Sequence, residues 1–513
     1  MNGEYGVWAV WEFTVSFLNF SEEAMATPDR RMRNRPRVRT LEPTTGERHA
    51  SWLELFFDLV FVLAVAQVAR VLAEHSDLVG LVRYAVLFIP VWWAWIGFTF
   101  YADRFESEGP AYRILMFAAM LAMTAFALTL GGAFTPAGDT PFIICYVLVR
   151  LVLVVGYLRV AYYIPLARSF SMQYPIGLGA MMVLLLVSLL TDPPLRYAIW
   201  AVALILELLT PLLNLRAARV LPIDRSHIPE RFGLFTIIVL GEAVIATAMG
   251  AAGVPWNLST IATSSLGFGM AVCIWWINFD FVEGSGLTAG QLWRRFLYIY
   301  GHYFIVVSIV AMGIGVEHAI KESTEAHLHF PTVALIAGGA AVFLAVVTII
   351  RVVTGVCDLI APRLAGIGVL LSLLFLGQFL PPVAVMATAF LLLAGTVWFE
   401  NYFAQEDEAD ELPHLVPCEH VGEMQVFKPR GEQEILGCEE CRKNNYKWVH
   451  LRLCLSCGHV GCCDTSVNKH ATKHFHKTGH PIIASLEAGE SWAWCYVNDR
   501  FVPLESKIEG SEF

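Results

Sequence analysis

From Trp52 onward the chain alternates long apolar runs with short polar connections. Twelve runs of about 18–25 residues are each long enough to cross a ~30 Å hydrocarbon core as a helix. They fall near 52–73, 79–101, 112–133, 141–162, 174–191, 195–213, 232–250, 259–282, 295–317, 331–354, 364–380 and 382–400. The pattern predicts an all-α polytopic membrane domain of about twelve transmembrane helices over residues 51–400. Residues 1–50 are a polar, Arg-rich segment. Within it, Tyr5 to Phe20 is apolar but interrupted by Glu12, too short to span and without the basic start of a signal peptide. The first 24 residues therefore read as an upstream extension or an interfacial helix. An acidic linker, 401–416, holds Glu406-Asp407-Glu408-Ala409-Asp410-Glu411, which is solvated spacing. Residues 417–505 read as a small α+β module dense in Cys and His.

Composition agrees with the pattern. Hydrophobic residues make up 56% and charged residues 16%, against about 25% charged in ordinary globular chains. That deficit excludes a soluble protein, a disordered chain and a strongly basic nucleic-acid binder. Charge also sets orientation, because Lys and Arg near segment ends stay in the cytoplasm. Arg30, Arg31, Arg33, Arg35, Arg37, Arg39 and Arg48 precede the first run. The even-numbered connections hold Arg104, Arg113, Arg168, Arg216, Arg219, Arg225, Arg231, Arg294 and Arg363; the odd ones hold little besides Arg196 and Lys321. Both termini are predicted to be cytoplasmic, in a multi-pass protein of the cell inner membrane. Of eleven Cys, eight lie in the tail, at Cys418, Cys438, Cys441, Cys454, Cys457, Cys462, Cys463 and Cys495. A reducing cytosol makes these zinc ligands rather than disulfides.

The chain also repeats itself. The first run is followed by Trp92-Trp93-Ala94-Trp95-Ile96-Gly97-Phe98, the seventh by Trp275-Trp276-Ile277-Asn278-Phe279. Arg113-Ile114-Leu115 and Arg295-Phe296-Leu297 then open the next run in each half. Six plus six spans is an even repeat, so the reading is two parallel six-helix repeats related by an axis along the membrane normal.

Ionisable residues inside a bilayer cost at least ~2.5–3.5 kcal/mol on insertion scales and are functional candidates. Glu54 and Asp58 stand four apart on one face of the first helix. Like charges at that spacing repel, so one carboxyl holds a proton or a cation sits between them. Arg150, in the fourth run, needs an acidic partner; Glu207 and Glu242 are the deepest carboxylates available. Asn278, Asp280, His302 and Arg351 lie nearer the cytoplasmic ends. The competing reading is that these are structural ion pairs fixing helix register.

Ser51-Trp52-Leu53-Glu54-Leu55-Phe56-Phe57-Asp58-Leu59-Val60-Phe61-Val62, the Trp92-Trp93-Ala94-Trp95 block and Glu230-Arg231-Phe232-Gly233-Leu234-Phe235-Thr236-Ile237-Ile238-Val239-Leu240-Gly241-Glu242 resemble the bacterial low temperature requirement A (LtrA) membrane proteins over about residues 45–400. That resemblance implies a polytopic membrane domain. Phe56 to Ala64 is also similar to the Phe-Ser-Asp motif opening each repeat of a class of potassium channels, with Phe57 at the Ser position and no Asp in Phe232-Gly233-Leu234-Phe235.

The tail resembles a ubiquitin-specific-protease-type (UBP) zinc finger, through Cys418-x-His420, Cys438-x2-Cys441, Cys454-x2-Cys457, Cys462, His470-x3-His474, His480-Pro481 and Trp494-Cys495-Tyr496. The resemblance implies two to three zinc ions in tetrahedral Cys/His sites. Cys438, Cys441, Cys462 and His470 would share one, and Cys454, Cys457, His474 and His480 a second. Cys418, His420 and Cys495 would hold a third, with Asn498 where the family has its fourth Cys and Asp499 as a neighbouring donor. Eukaryotic members bind the ubiquitin C-terminal carboxylate through an Arg; the matching stretch here is Cys462-Cys463-Asp464. Ubiquitin is thus not an expected partner.

Two functions follow. One is an ion or small-solute transporter or channel with a cytosolic zinc module; the other is a non-transporting membrane scaffold or stress-response factor whose finger recruits a cytosolic protein or peptide. No nucleophile elbow, H-E-x-x-H or phosphate loop is present, so the chain does not read as an enzyme. Its expected partners are the lipid bilayer, that unidentified protein and a second copy of itself, with no nucleic acid.

Overall fold

A computed structural model describes residues 36, 50–105, 109–213, 227–281, 292–354, 360–410, 420, 437–444, 446–486, 492–498 and 500–502. Residues 1–35 and 37–49 of the Arg-rich N-terminal segment, Cys418, Asp499 and the side chains of the acidic linker from residue 404 lie outside them. The chain divides into two compact units, Met1–Phe399 and Glu400–Phe513.

Among the described residues the first unit is built of helices. The helices are α1 (Trp52–Glu74), α2 (Leu78–Phe105), α3 (Pro110–Thr129), α4 (Asp139–Tyr163), α5 (Arg168–Ser188), α6 (Leu195–Leu213), α7 (His227–Ala251), α8 (Leu258–Phe281), α9 (Leu292–Lys321), α10 (Gly339–Thr354), α11 (Ile360–Leu376) and α12 (Pro382–Asp410). A turn of α-helix, Phe330–Val333, and a π-turn, Ala334–Gly338, lead into α10. Among the described residues eleven helices are long and apolar enough to cross a membrane. The remaining expected run, 195–213, is the helix α6, 19 residues long. Each apolar run thus became a helix, because a backbone in hydrocarbon must satisfy its own N–H and C=O groups.

Helix starts differ most from hydropathy where polar residues join the helix. The run expected from 232 begins at His227, so that His227, Glu230 and Arg231 form the first turns of α7. Those residues are helical because their side chains are taken up inside the protein. The start of α1 was legible: Ser51 caps it, Glu54 N–H donating to Ser51 Oγ at 3.3 Å while Ser51 N–H donates to Glu54 Oε2 at 2.7 Å.

Part of the packing order recurs between α1–α5 and α7–α11, while α2 also lies on α4 and α5 on α6. α1 lies on α2 and α3, α3 on α4 and α4 on α5; α7 lies on α8 and α9, α9 on α10 and α10 on α11. Across the halves, α7 and α9 pack against α1 and α2. In the α9 span 78% of the residues are buried and in the α11 span 22%, so α9 is central in the helical unit and α11 peripheral. A Cβ at Gly313 would stand 2.8 Å from Ala243 Cα, so α7 and α9 meet backbone to backbone.

The second unit holds α13 (Glu439–Lys443) and α14 (His470–Thr478) around five short strands: β1 (Leu451–Cys454), β2 (Val460–Cys462), β3 (Ile482–Ser485), β4 (Ala493–Cys495) and β5 (Arg500–Val502). They form one antiparallel sheet in the order β2-β1-β3-β4-β5, with Leu453 opposite both Val460 and Ala484. Its apolar core is Leu453, Leu455, Val460, Ile482, Ala484, Ala493 and Cys495. A core that small does not hold a domain without a staple. α14 rests on β2 at Gly461, where a Cβ would meet Ala471 N at 2.6 Å.

Candidate functional site

Where α1, α2 and α7 meet, five ionisable side chains are buried together. His227 stands between two carboxylates, with Nε2 3.2 Å from Glu54 Oε1 and Nδ1 3.0 Å from Asp103 Oδ1. One turn further along α7, Arg231 Nη2 donates to Asp58 Oδ1 at 2.7 Å, and Trp95 Nε1 donates to the same oxygen at 2.8 Å. The guanidinium carbon of Arg231 lies 5.9 Å from the Trp95 ring centroid. Trp92 stacks on Trp95, and Phe232 and Phe235 close against both rings. All five ionisable groups are almost fully buried.

The structure thus resolves the crowding of Glu54 and Asp58 differently from the sequence expectation. No cation need lie between them, because His227 and Arg231, four apart on α7, face the pair four apart on α1. The arrangement is not saturated. Among the described residues, Asp58 Oδ2 and the Nε and Nη1 of Arg231 find no hydrogen-bond partner.

A second cluster lies within the first half. Arg150 forms an ion pair with Glu207, and Tyr146 bridges them: its hydroxyl donates to Glu207 Oε2 at 2.5 Å and accepts from Arg150 Nη2 at 2.8 Å. Arg150 Nη1 also donates to the Trp93 carbonyl at 3.3 Å. Glu242, by contrast, is half-buried, with Glu317 and Arg70 as its charged neighbours. It lies eleven residues beyond Arg231 on α7, about 16 Å along the axis at 1.5 Å per residue. The structure therefore does not bring Asp58 and Glu242 together. Asn278 and His302 are buried, His302 Nδ1 lying 2.7 Å from the Tyr298 carbonyl, while Asp280 is exposed.

Asp103 and His227 carry no reading in the sequence, and Arg231 stands there as a connection charge and as part of the Glu230–Glu242 motif. The signal is a spacing: His227 and Arg231 repeat the four-residue interval of Glu54 and Asp58.

In the finger, the ligand atoms of Cys438, Cys441, Cys462 and His470 gather within 4.8 Å of one another, as do those of Cys454, Cys457, His474 and His480. His470 Nδ1 stands 3.2 Å from both Cys438 Sγ and Cys441 Sγ and 3.5 Å from Cys462 Sγ. His480 Nδ1 is 3.6 Å from Cys454 Sγ, and His474 Nε2 3.3 Å from Cys457 Sγ. The strands and α14 cause the interleaving, because β1 ends in Cys454, β2 in Cys462, and α14 presents His470 and His474 one turn apart. His420 Nδ1 lies 3.8 Å from Cys495 Sγ.

The donor chemistry fits a soft dication. Burial and neighbouring sulfurs push the Cys438 thiol up to about 12, and burial raises Cys441 and Cys454 as well. Several thiolates this close require a positive ion among them. His474 is shifted downward by burial and by His459 and His480, favouring the neutral imidazole a metal needs. Cys463 falls in neither cluster: Thr465 Oγ1 at 2.8 Å and Ser466 Oγ at 3.4 Å hold its sulfur. Burial opposes its ionisation, but hydrogen bonds from Ser466 and Thr465 outweigh it and bring the thiol down to about 6. Among the described residues all cysteines are free thiols.

Known proteins match the two units separately. Residues 438–507 match the family of Zn-fingers in ubiquitin-hydrolases and other proteins. In that region the chain is 38% identical over 69 residues to an NAD-dependent deacetylase of Dictyostelium discoideum and 36% identical over 75 residues to a BRCA1-associated protein of Mus musculus. These stretches are 14% of this chain and 12% of each relative. A solution NMR structure of a Rhodopseudomonas palustris protein is 52% identical, covering 17% of this chain and 82% of that one, with a TM-score of 0.16. An uncharacterised protein of Rhizobium meliloti (strain 1021) is 29% identical over 394 residues, 69% of this chain and 90% of its own. Residues 49–398 match the bacterial low temperature requirement A protein family, and the chain belongs to that family, as an LtrA-type multi-pass membrane protein carrying a C-terminal UBP-type zinc finger.

Proposed function

We propose that this protein carries an ion or small solute across the inner membrane, using the Asp58–Arg231 pair as the element that opens and closes. The observation carrying this reading is a buried ion pair between the first helix of each half that leaves Asp58 Oδ2 and two Arg231 nitrogens without a hydrogen-bond partner among the described residues. A pair built only to hold helices together gains by satisfying its remaining lone pairs and protons. Unsatisfied ones are available to a passing polar species or to a second arrangement of the pair. The partly recurring packing order of α1–α5 and α7–α11 supports two parallel repeats, with the pair where they meet. We place both termini in the cytoplasm and two zinc ions in the two Cys/His clusters, with a weaker third site at Cys495 and His420. We assign no enzymatic step to either unit.

The test is flux. Purified protein in proteoliposomes is expected to conduct protons or monovalent cations, and Asp58→Asn is expected to abolish this while the protein remains folded. A well-folded Asp58→Asn variant with unchanged flux overturns the reading. The scaffold reading has its own support in the Arg150–Tyr146–Glu207 cluster, where an ion pair is bridged by a tyrosine hydroxyl. Protein-mediated flux absent from all proteoliposomes, with a partner bound specifically through the finger, would favour it.

A further inference from the structure

The finger carries a surface that its metal clusters do not use. Lys473 and Lys477 stand one turn apart on α14 and Lys469 caps its start, all exposed. Lys443 and Lys447 are exposed on the segment 442–449, which lies against the approach to α14: Val449 N–H donates to Ser466 Oγ at 2.9 Å, and Cys441 shares His470 with Cys438. Beside these lysines stand two exposed apolar side chains, Val467 at 89% and Val449 at 57%. Nearby acids are tied elsewhere. Glu439 accepts from Val460 N–H, Glu440 pairs with His459, and Asp464 accepts from Thr472. None of the five lysines forms an ion pair among the described residues.

We infer that this face docks on the anionic cytoplasmic surface of a lipid bilayer. Lysines set around exposed valines combine electrostatic attraction to anionic headgroups with a small apolar insertion, the two forces that hold peripheral elements on membranes. The long lysine stems also reach headgroups while lying along apolar surface. The chain supplies the bilayer, since the segment 411–436 joins the finger to α12, and such tethering raises the effective concentration of the surface. A nucleic acid would match the lysines and leave the valines unexplained. The inference rests on the cytoplasmic placement of the C-terminus.

The full chain in nanodiscs tests it, comparing phosphatidylcholine with phosphatidylcholine containing roughly one third phosphatidylglycerol, by hydrogen exchange at 442–449 and 465–478. With anionic lipid, exchange in both segments should slow by about tenfold and recover in high salt. Lys469→Glu with Lys473→Glu should remove that protection while zinc content and protection of β1–β4 stay unchanged. Val449→Ser with Val467→Ser, which leaves the charge unchanged, should weaken it with the lysines intact, which counter-ion attraction alone would not do. Equal exchange in the two lipids overturns the proposal. So does protection given by added RNA or an acidic peptide in neutral nanodiscs but not by anionic lipid. Reporter fusions reading the C-terminus as periplasmic would remove its premise without touching the flux result.

Discussion

The two units hold buried charge in opposite ways. In the membrane unit the partners are far apart in sequence: Asp58 meets Arg231, His227 meets Asp103, and Arg150 meets Glu207. Each charge is compensated by a residue on another helix, and an apolar core spread over the whole helical unit surrounds them. In the finger each cluster draws its four ligands from a stretch of about 35 residues or fewer, and the apolar core is seven residues. The membrane unit is a fold that tolerates its charges; the finger is a fold that depends on them. Removing one charged side chain should therefore damage the two units to very different degrees.

The largest effect is expected from the finger. Structural zinc contributes on the order of 10–16 kcal/mol in such modules, so strong chelators or Cys454→Ser should unfold residues 437–502 and leave the membrane helices intact. Hydrogen exchange on the full chain separates the two. A finger that stays protected without metal would erase the contrast.

Next come the buried pairs. Arg231→Gln should lower stability by roughly 3–5 kcal/mol, because it strands Asp58 in the interior. Glu207→Gln should act similarly by stranding Arg150. Thermal melting in detergent measures both. The double variant Asp58→Asn with Arg231→Gln should recover much of the loss, while flux stays absent under the transport reading. Recovery of flux together with stability would make the pair purely structural.

Acidity sharpens the comparison from the finger side. Burial raises the metal-free Cys438, Cys441 and Cys454 thiols, so metal binding must displace their protons at neutral pH. The stabilisation from zinc is then present at higher pH and lost as pH falls, by about 1.4 kcal/mol per displaced proton per pH unit. Zinc release followed with a colorimetric chelator between neutral and mildly acidic pH should rise steadily with acidity. The smallest effect belongs to Glu242→Gln. This half-buried group should change stability by less than about 1 kcal/mol, so any large loss of flux in that variant would point to a direct role in passage.

Legibility follows the same division. The Cys/His clusters are readable because tetrahedral coordination needs four soft ligands and the chain supplies them at short fixed spacings, though the interleaving comes from a family resemblance. The helices were readable because lipid requires long apolar runs. The α7 start was misplaced by five residues, from 232 to His227, since hydropathy treats a polar residue as a boundary whether or not it has a buried partner. Arg231 was read as a cytoplasmic marker for the same reason. Glu54 and Asp58 were recognised as a problem, but not its solution.

What the sequence determined by itself is local: where backbone must become helix, where Ser51 and Glu54 cap it, and which Cys and His stand close enough along the chain to share a metal. Helix propensity, capping and ligand spacing act over a few residues, so they are written in neighbouring positions. Only the tertiary structure decided that α7 lies against α1 and α2, setting His227 between Glu54 and Asp103 and Arg231 on Asp58. A charge in the interior requires compensation but does not specify which of several distant partners provides it. That choice belongs to helix packing, where shape and contact across the whole bundle fix which faces meet.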